Sequence, residues 1–140
     1  GRLHRQARDR GLQDVVVFAG FQEDVRRLYG ASDLAVLPSL REGLPLFLVE
    51  AMCMRLPVVA TTVSGTPELV DVPRTGLLVP PRDPVGLAGA LAAVMGDARR
   101  RAAMGEAARA RVLEAFRIER MAAQRQELYE RLVDAAGRRA

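Results

Sequence analysis

Four short, uninterrupted apolar runs constrain this chain more than any other feature: Val15-Val16-Val17-Phe18, Leu34-Ala35-Val36-Leu37, Val58-Val59-Ala60 and Gly76-Leu77-Leu78-Val79. A strand with one wet face alternates apolar and polar residues, whereas a strand covered on both faces is apolar throughout. Breakers bound the runs: Gly20, Pro38-Ser39, Pro57 and Pro80-Pro81. Between them lie helical segments. One presents Val25, Leu28 and Tyr29, one runs from about Leu46 to Met54, and Thr66-Pro67-Glu68 is a compact start with Thr66 as N-cap. Buried strands separated by helices define an α/β fold with a parallel sheet, here of about four strands with helices on both faces.

The second part of the chain is helical. Residues 1–83 form the α/β part and residues 84–140 the helical part of a single domain, the size that 140 residues allow. Asp83-Pro84 starts a helix that Gly96 ends. A following helix spaces Met104, Ala108, Val112 and Phe116 by four, and a last one, from about Ile118 to Ala136, carries Met121, Leu128, Tyr129, Leu132 and Val133. Both rows read as packing faces. Aromatics make up 4% of the chain and Trp is absent, so Leu, Val, Ala and Met must fill the core.

Several function classes fall away. All 21 basic residues are Arg, but they spread from Arg2 to Arg139 and mostly alternate with Asp and Glu. Only Arg99-Arg100-Arg101 and Arg138-Arg139 cluster, and no basic stretch is interleaved with aromatics, so no nucleic-acid partner is expected. Cys53 is the only cysteine, which excludes an internal disulfide and a multi-Cys zinc site. No His/Asp/Glu cluster has metal-ligand spacing, and His4 reads as a surface helix residue. No apolar run reaches the roughly 18–20 residues of a membrane span, and the start shows no signal-peptide core. A soluble, cytoplasmic protein is the expectation.

Ligands of open parallel sheets bind at the carboxyl ends of the strands, where helix N-termini also point. The second run ends at Pro38 and leads into Glu42-Gly43-Leu44-Pro45-Leu46, with Glu50 one turn into the next helix. Gly43 lets a ligand approach the backbone, N–H groups near Leu46 suit a phosphate, and Glu50 suits a diol such as ribose. The spacing itself is not diagnostic. Glu-x7-Glu also occurs at Glu106/Glu114 and Glu119/Glu127, inside charged helices. Taken by residue type alone, Glu42 and Glu50 fit either a sugar-nucleotide cradle or ordinary loop and surface carboxylates.

Longer motifs add a resemblance. Val17-Phe18-x-Gly20-Phe21, Pro38-Ser39-x-x-Glu42-Gly43-Leu44-Pro45, Glu50-Ala51-Met52, Leu56-Pro57-Val58-Val59-Ala60-Thr61, Gly65-x-Pro67-Glu68-Leu69-Val70 and Thr75-Gly76-Leu77-Leu78-Val79-Pro80-Pro81-x-Asp83-Pro84 follow one another in order. Together they resemble the nucleotide-sugar-binding, C-terminal domain of GT-B glycosyltransferases, most closely retaining family 4 (glycosyltransferase group 1). The resemblance implies a Rossmann-like parallel sheet with a helical C-terminal tail. It also implies transfer of a sugar from a nucleotide-diphosphate sugar to an acceptor hydroxyl with retention, without metal or cofactor. Glu42 would contact the donor sugar near the reacting centre, and Glu50 the ribose. The backbone of Gly43, Leu44, Pro45 and Leu46 would meet the sugar and diphosphate.

The same resemblance implies partners and omissions. The acceptor-binding N-terminal domain and the cationic diphosphate clamp would precede residue 1, which makes this an incomplete GT-B C-terminal domain and a non-catalytic fragment the alternative reading. Peripheral contact with the inner face of a membrane belongs to the same expectation. The family sheet order 3-2-1-4-5-6 makes Val15–Phe18 strand three and Leu34–Leu37 strand four, so these two either pair directly or leave a gap. Arg55 and Ser64 stand where the family usually has Gly, and Arg55 carries a cost of roughly 1 kcal/mol if its φ is positive.

Overall fold

The computed structural model describes residues 1–137, so the Arg138-Arg139 pair lies outside the described residues. Three parallel strands form one sheet in the order β1 (Ala35–Leu37), β2 (Val58–Thr61), β3 (Gly76–Val79). Ala35 lies opposite Val58, and Val58 opposite Gly76. The helices are α1 (Arg2–Asp9), α2 (Arg26–Gly30), α3 (Leu46–Cys53), α4 (Thr66–Leu69), α5 (Pro84–Met95), α6 (Ala98–Ala115) and α7 (Ile118–Gly137).

The apolar runs work as their composition requires. Every residue of β2 is buried. Successive strand side chains point to opposite faces, and both faces are covered. Val58 and Ala60 join Leu48, Ala51 and Met52 of α3 and Ala108 and Val112 of α6. Val59 joins Val94 of α5 and Met104 of α6. Complete burial of side chains such as Leu48 and Met52 contributes about 1.5–3 kcal/mol each.

Helix α6 is held against the sheet by polar contacts as well. Arg109 donates to the carbonyl of Cys53, the last residue of α3. Arg111 donates through Nε to Leu69 O at 2.6 Å and through Nη2 to Glu68 O at 2.5 Å, at the end of α4. Helix C-termini leave carbonyls without intrahelical partners, and these two arginines satisfy them. Gly105 makes the approach feasible, because a Cβ there would overlap the Arg55 carbonyl oxygen.

Three expectations need correction. The sheet has three strands and not about four, because Val15–Phe18 adopts no strand. A run becomes a strand only beside a partner, and among the described residues β1 pairs with β2 alone. Direct pairing of Val15–Phe18 with β1 does not occur among the described residues. The amides of Val15 and Val16 turn back to Leu12 O, Phe18 stacks on His4 with ring centroids 3.9 Å apart, and Val17 is 86% exposed. Next, the apolar row of α7 is not a packing face within this structure: all of residues 118–135 are exposed, in contrast to Met104, Ala108 and Val112 on α6. Helix α7 begins where the chain has already left the two core clusters, whose last members are Val112 and Phe116. Finally, Gly65 and not Thr66 is the N-cap of α4. Thr66 is fully buried, and its hydroxyl lies 2.7 Å from Thr61 O, tying the helix to β2.

Asp83 caps α5 as expected, accepting from Gly86 N–H at 2.8 Å. Arg55 and Ser64 both have positive φ, +62° and +39°. Arg55 also pairs with Glu106 at 2.8 Å, in an exposed contact of the kind that contributes little. Arg55→Gly should raise the midpoint of urea unfolding, and Arg55→Val should lower stability by about 1 kcal/mol or more. Opposite signs for the two variants check the strain directly.

Candidate functional site

The loop that leaves β1 is held in place by two partners from the next β–α connection. Thr61, at the end of β2, donates its hydroxyl to Ser39 O at 2.5 Å. Gly65 donates its N–H to Gly43 O at 3.1 Å. A Cβ on Gly65 would overlap that same carbonyl oxygen, so the contact requires glycine. The segment from Ser39 to Gly43 is thereby tied to the carboxyl edge of the sheet.

Glu42 lies on this loop, half-buried, and its carboxylate has no hydrogen bond or ion pair among the described residues. Gly43 and Leu44 are exposed beside it. Pro45 is buried and N-caps α3, with its carbonyl accepting from Leu48 N–H at 3.0 Å. A proline there offers no side-chain cap and no N–H of its own.

The consequence is an open helix start. The amides of Leu46 and Phe47 have no acceptor among the described residues, and the first turn of α3 carries no acid. By contrast, α5 and α6 close their first turns with Asp83 and Asp97. Unpaired amides and the positive end of the helix dipole together favour an anion. The same edge bears further positive charge. Arg41, next to Glu42, and Arg82, beyond β3, line one open depression of about 670 Å³, and neither forms an ion pair among the described residues.

Glu50 follows Leu46 by four residues and so shares its helix face. Its carboxylate is exposed and accepts a 2.8 Å hydrogen bond at Oε2 from the Tyr29 hydroxyl of α2. Both residues line a cleft of about 490 Å³ with Val25, Val49, Cys53 and Met54. Burial first, and then the bond to Glu50, push the Tyr29 hydroxyl up to about 12. The phenol is therefore a neutral donor at any physiological pH. Because the folded value lies above the ordinary one, this contribution to stability is complete below about pH 10 and lost as pH rises through about 12.

The structure thus places Glu42, Gly43, Leu44, Pro45, Leu46 and Glu50 on one continuous loop-and-helix segment at the carboxyl edge of the sheet. From sequence Tyr29 reads only as a core residue, and neither Thr61 nor Arg41 carries a site role of its own. Among the described residues no group of three or more His, Cys, Asp or Glu could hold a metal ion, and no helix is long and apolar enough to cross a membrane.

The chain is similar to known proteins in sequence and fold. Residues 1–97 match the family model described as glycosyl transferases group 1. The chain is 36% identical over 118 residues to the N-acetyl-alpha-D-glucosaminyl L-malate synthase of Bacillus anthracis, covering 84% of this chain and 31% of that protein. It superposes on the Anabaena protein Alr3699/HepE, solved in complex with UDP, with a TM-score of 0.87 and 31% identity, covering 92% of this chain and 36% of that one. The C-terminal domain of a Francisella tularensis glycosyl transferase group 1 protein, LpcC, is also similar, with a TM-score of 0.75 and 28% identity over 84% of this chain and 62% of that one. The chain spans about a third or less of the length of the curated relatives it matches. With the family model matching well over half of its residues, the chain belongs to the glycosyl transferases group 1 family.

Proposed function

We infer that this chain is the donor-binding, C-terminal domain of a retaining GT-B glycosyltransferase of family 4. The observation that carries this reading is the uncapped start of α3, flanked by the unpaired Glu42 and by Glu50. The UDP bound by the similar Anabaena protein supports a nucleotide-diphosphate sugar as ligand. The chemistry divides accordingly. A diphosphate needs donors and positive charge, which the Leu46 and Phe47 amides provide, whereas sugar and ribose hydroxyls are donors that suit carboxylates. Glu50 holds the ribose, and Glu42 meets the donor sugar near the carbon being transferred to an acceptor hydroxyl.

An acceptor-binding N-terminal domain completes the enzyme in this reading, and the reaction uses neither metal nor cofactor. The protein acts in the cytoplasm, with peripheral contact at the inner face of the membrane. Isothermal titration with UDP and GDP tests the donor site. Glu50→Ala should weaken nucleotide binding by about 1–3 kcal/mol through lost charged hydrogen bonds. Unchanged affinity in a folded variant would remove Glu50 from the site, and absence of nucleotide binding by the unmodified full chain would overturn the reading.

A further inference from the structure

The cleft between α2 and α3 contains a contact that the donor-site reading leaves unexplained. Tyr29 is 8% exposed, a member of the core cluster that includes Leu48 and Met52. Phe47 lies against its ring at a centroid distance of 6.0 Å. The hydroxyl is spent on neither backbone nor core. It is directed across the cleft at Glu50 Oε2, 2.8 Å away.

We propose that Tyr29 is a positioning residue whose immobile ring fixes the Glu50 carboxylate in one orientation, leaving Oε1 to accept from the ribose hydroxyls. The proposal rests on the reading of Glu50 as the ribose ligand. An untethered glutamate on a helix surface loses rotamer freedom when it binds, and that loss weakens affinity. Tyr29 removes part of the loss in advance. It also occupies one carboxylate oxygen, so the ribose meets a single defined acceptor. Two elements far apart in the chain are joined at this point, since Tyr29 and Glu50 are 21 residues apart.

Titration of the full chain with UDP and with 2′,3′-dideoxyuridine diphosphate separates positioning from mere packing. Tyr29→Phe keeps the buried ring and removes only the hydroxyl. It should weaken UDP about three- to tenfold, the range for one hydrogen bond, and leave the dideoxy nucleotide unchanged. In a Glu50→Ala background the same substitution should have no further effect on UDP, because the group it acts through is gone. Equal losses for both nucleotides, or no loss for either, would overturn the positioning role while leaving the ribose reading intact. If the unmodified chain binds the two nucleotides equally well, the ribose reading of Glu50 fails and the role of Tyr29 falls with it.

Discussion

In the complete enzyme, with the proposed acceptor-binding domain present, Glu42→Gln should cut sugar transfer about a hundredfold, the scale of losing one charged group at a reacting centre. Its affinity for free UDP should barely change. The two outcomes separate because Glu42 stands ahead of the α3 N-terminus, on the loop tied down by Thr61 and Gly65, whereas the nucleotide contacts assigned to Leu46, Phe47 and Glu50 lie on the helix itself. The isosteric amide preserves the loop, so lost transfer would reflect lost charge. Steady-state rates and equilibrium titration on the same sample measure both quantities. Glu106→Gln and Glu114→Gln serve as controls and should alter neither, because both carboxylates are exposed on α6. A wild-type rate in the Glu42 variant would remove that residue from the chemistry.

Gly105→Ala should destabilise the fold by about 2 kcal/mol or more, even though alanine is the better helix former by about 1 kcal/mol. The added methyl would collide with the Arg55 carbonyl, a backbone atom that cannot rotate away, so α6 must shift off the turn between α3 and β2. Gly89→Ala, on α5 with open space around the new Cβ, supplies the opposite case and should stabilise by roughly 0.5–1 kcal/mol. Melting temperatures of the two variants should therefore move in opposite directions, Gly105→Ala downward by several degrees. A rise for both would show that α6 is free to move outward without loss.

The parts of this fold that were legible in its sequence are those set by short-range pattern. Val58-Val59-Ala60 reads as a strand buried on both faces, and it is one. Asp83 followed by Pro84 reads as a helix start, and the cap bond is present. Val15-Val16-Val17-Phe18 shows where pattern stops being sufficient, since composition indicates what could be covered but not whether a neighbouring strand is there to cover it. The row on α7 has the same limit, because 3.6-residue spacing records a face and not its occupant. The N-cap of α4 falls one residue before Thr66, because a buried threonine can bond backward to Thr61 O as readily as forward into a helix turn.

The candidate site divides along the same line. Its residues from Glu42 to Glu50 are contiguous, so a motif could mark them. Its supports are not contiguous. The bond from Tyr29 to Glu50, the bond from Gly65 to Gly43 and the capping of α3 by Arg109 each join distant segments, and no local pattern announces them. The arginines read from sequence as dispersed charge, yet Arg109 and Arg111 are structural pins for helix ends.

Helix α3 is eight residues long and faces two ways, with Leu48, Ala51 and Met52 sealed in the core and Leu46, Phe47 and Glu50 toward solvent. Occupancy and integrity of the domain are therefore coupled by mass action. A nucleotide at a hundred times its dissociation constant would add about 2.7 kcal/mol to the folded state, and a core variant such as Leu48→Ala would register in a titration as a weaker ligand. A dye-monitored melt with UDP or GDP added is therefore a second, titration-free readout of whether the proposed donor site is occupied.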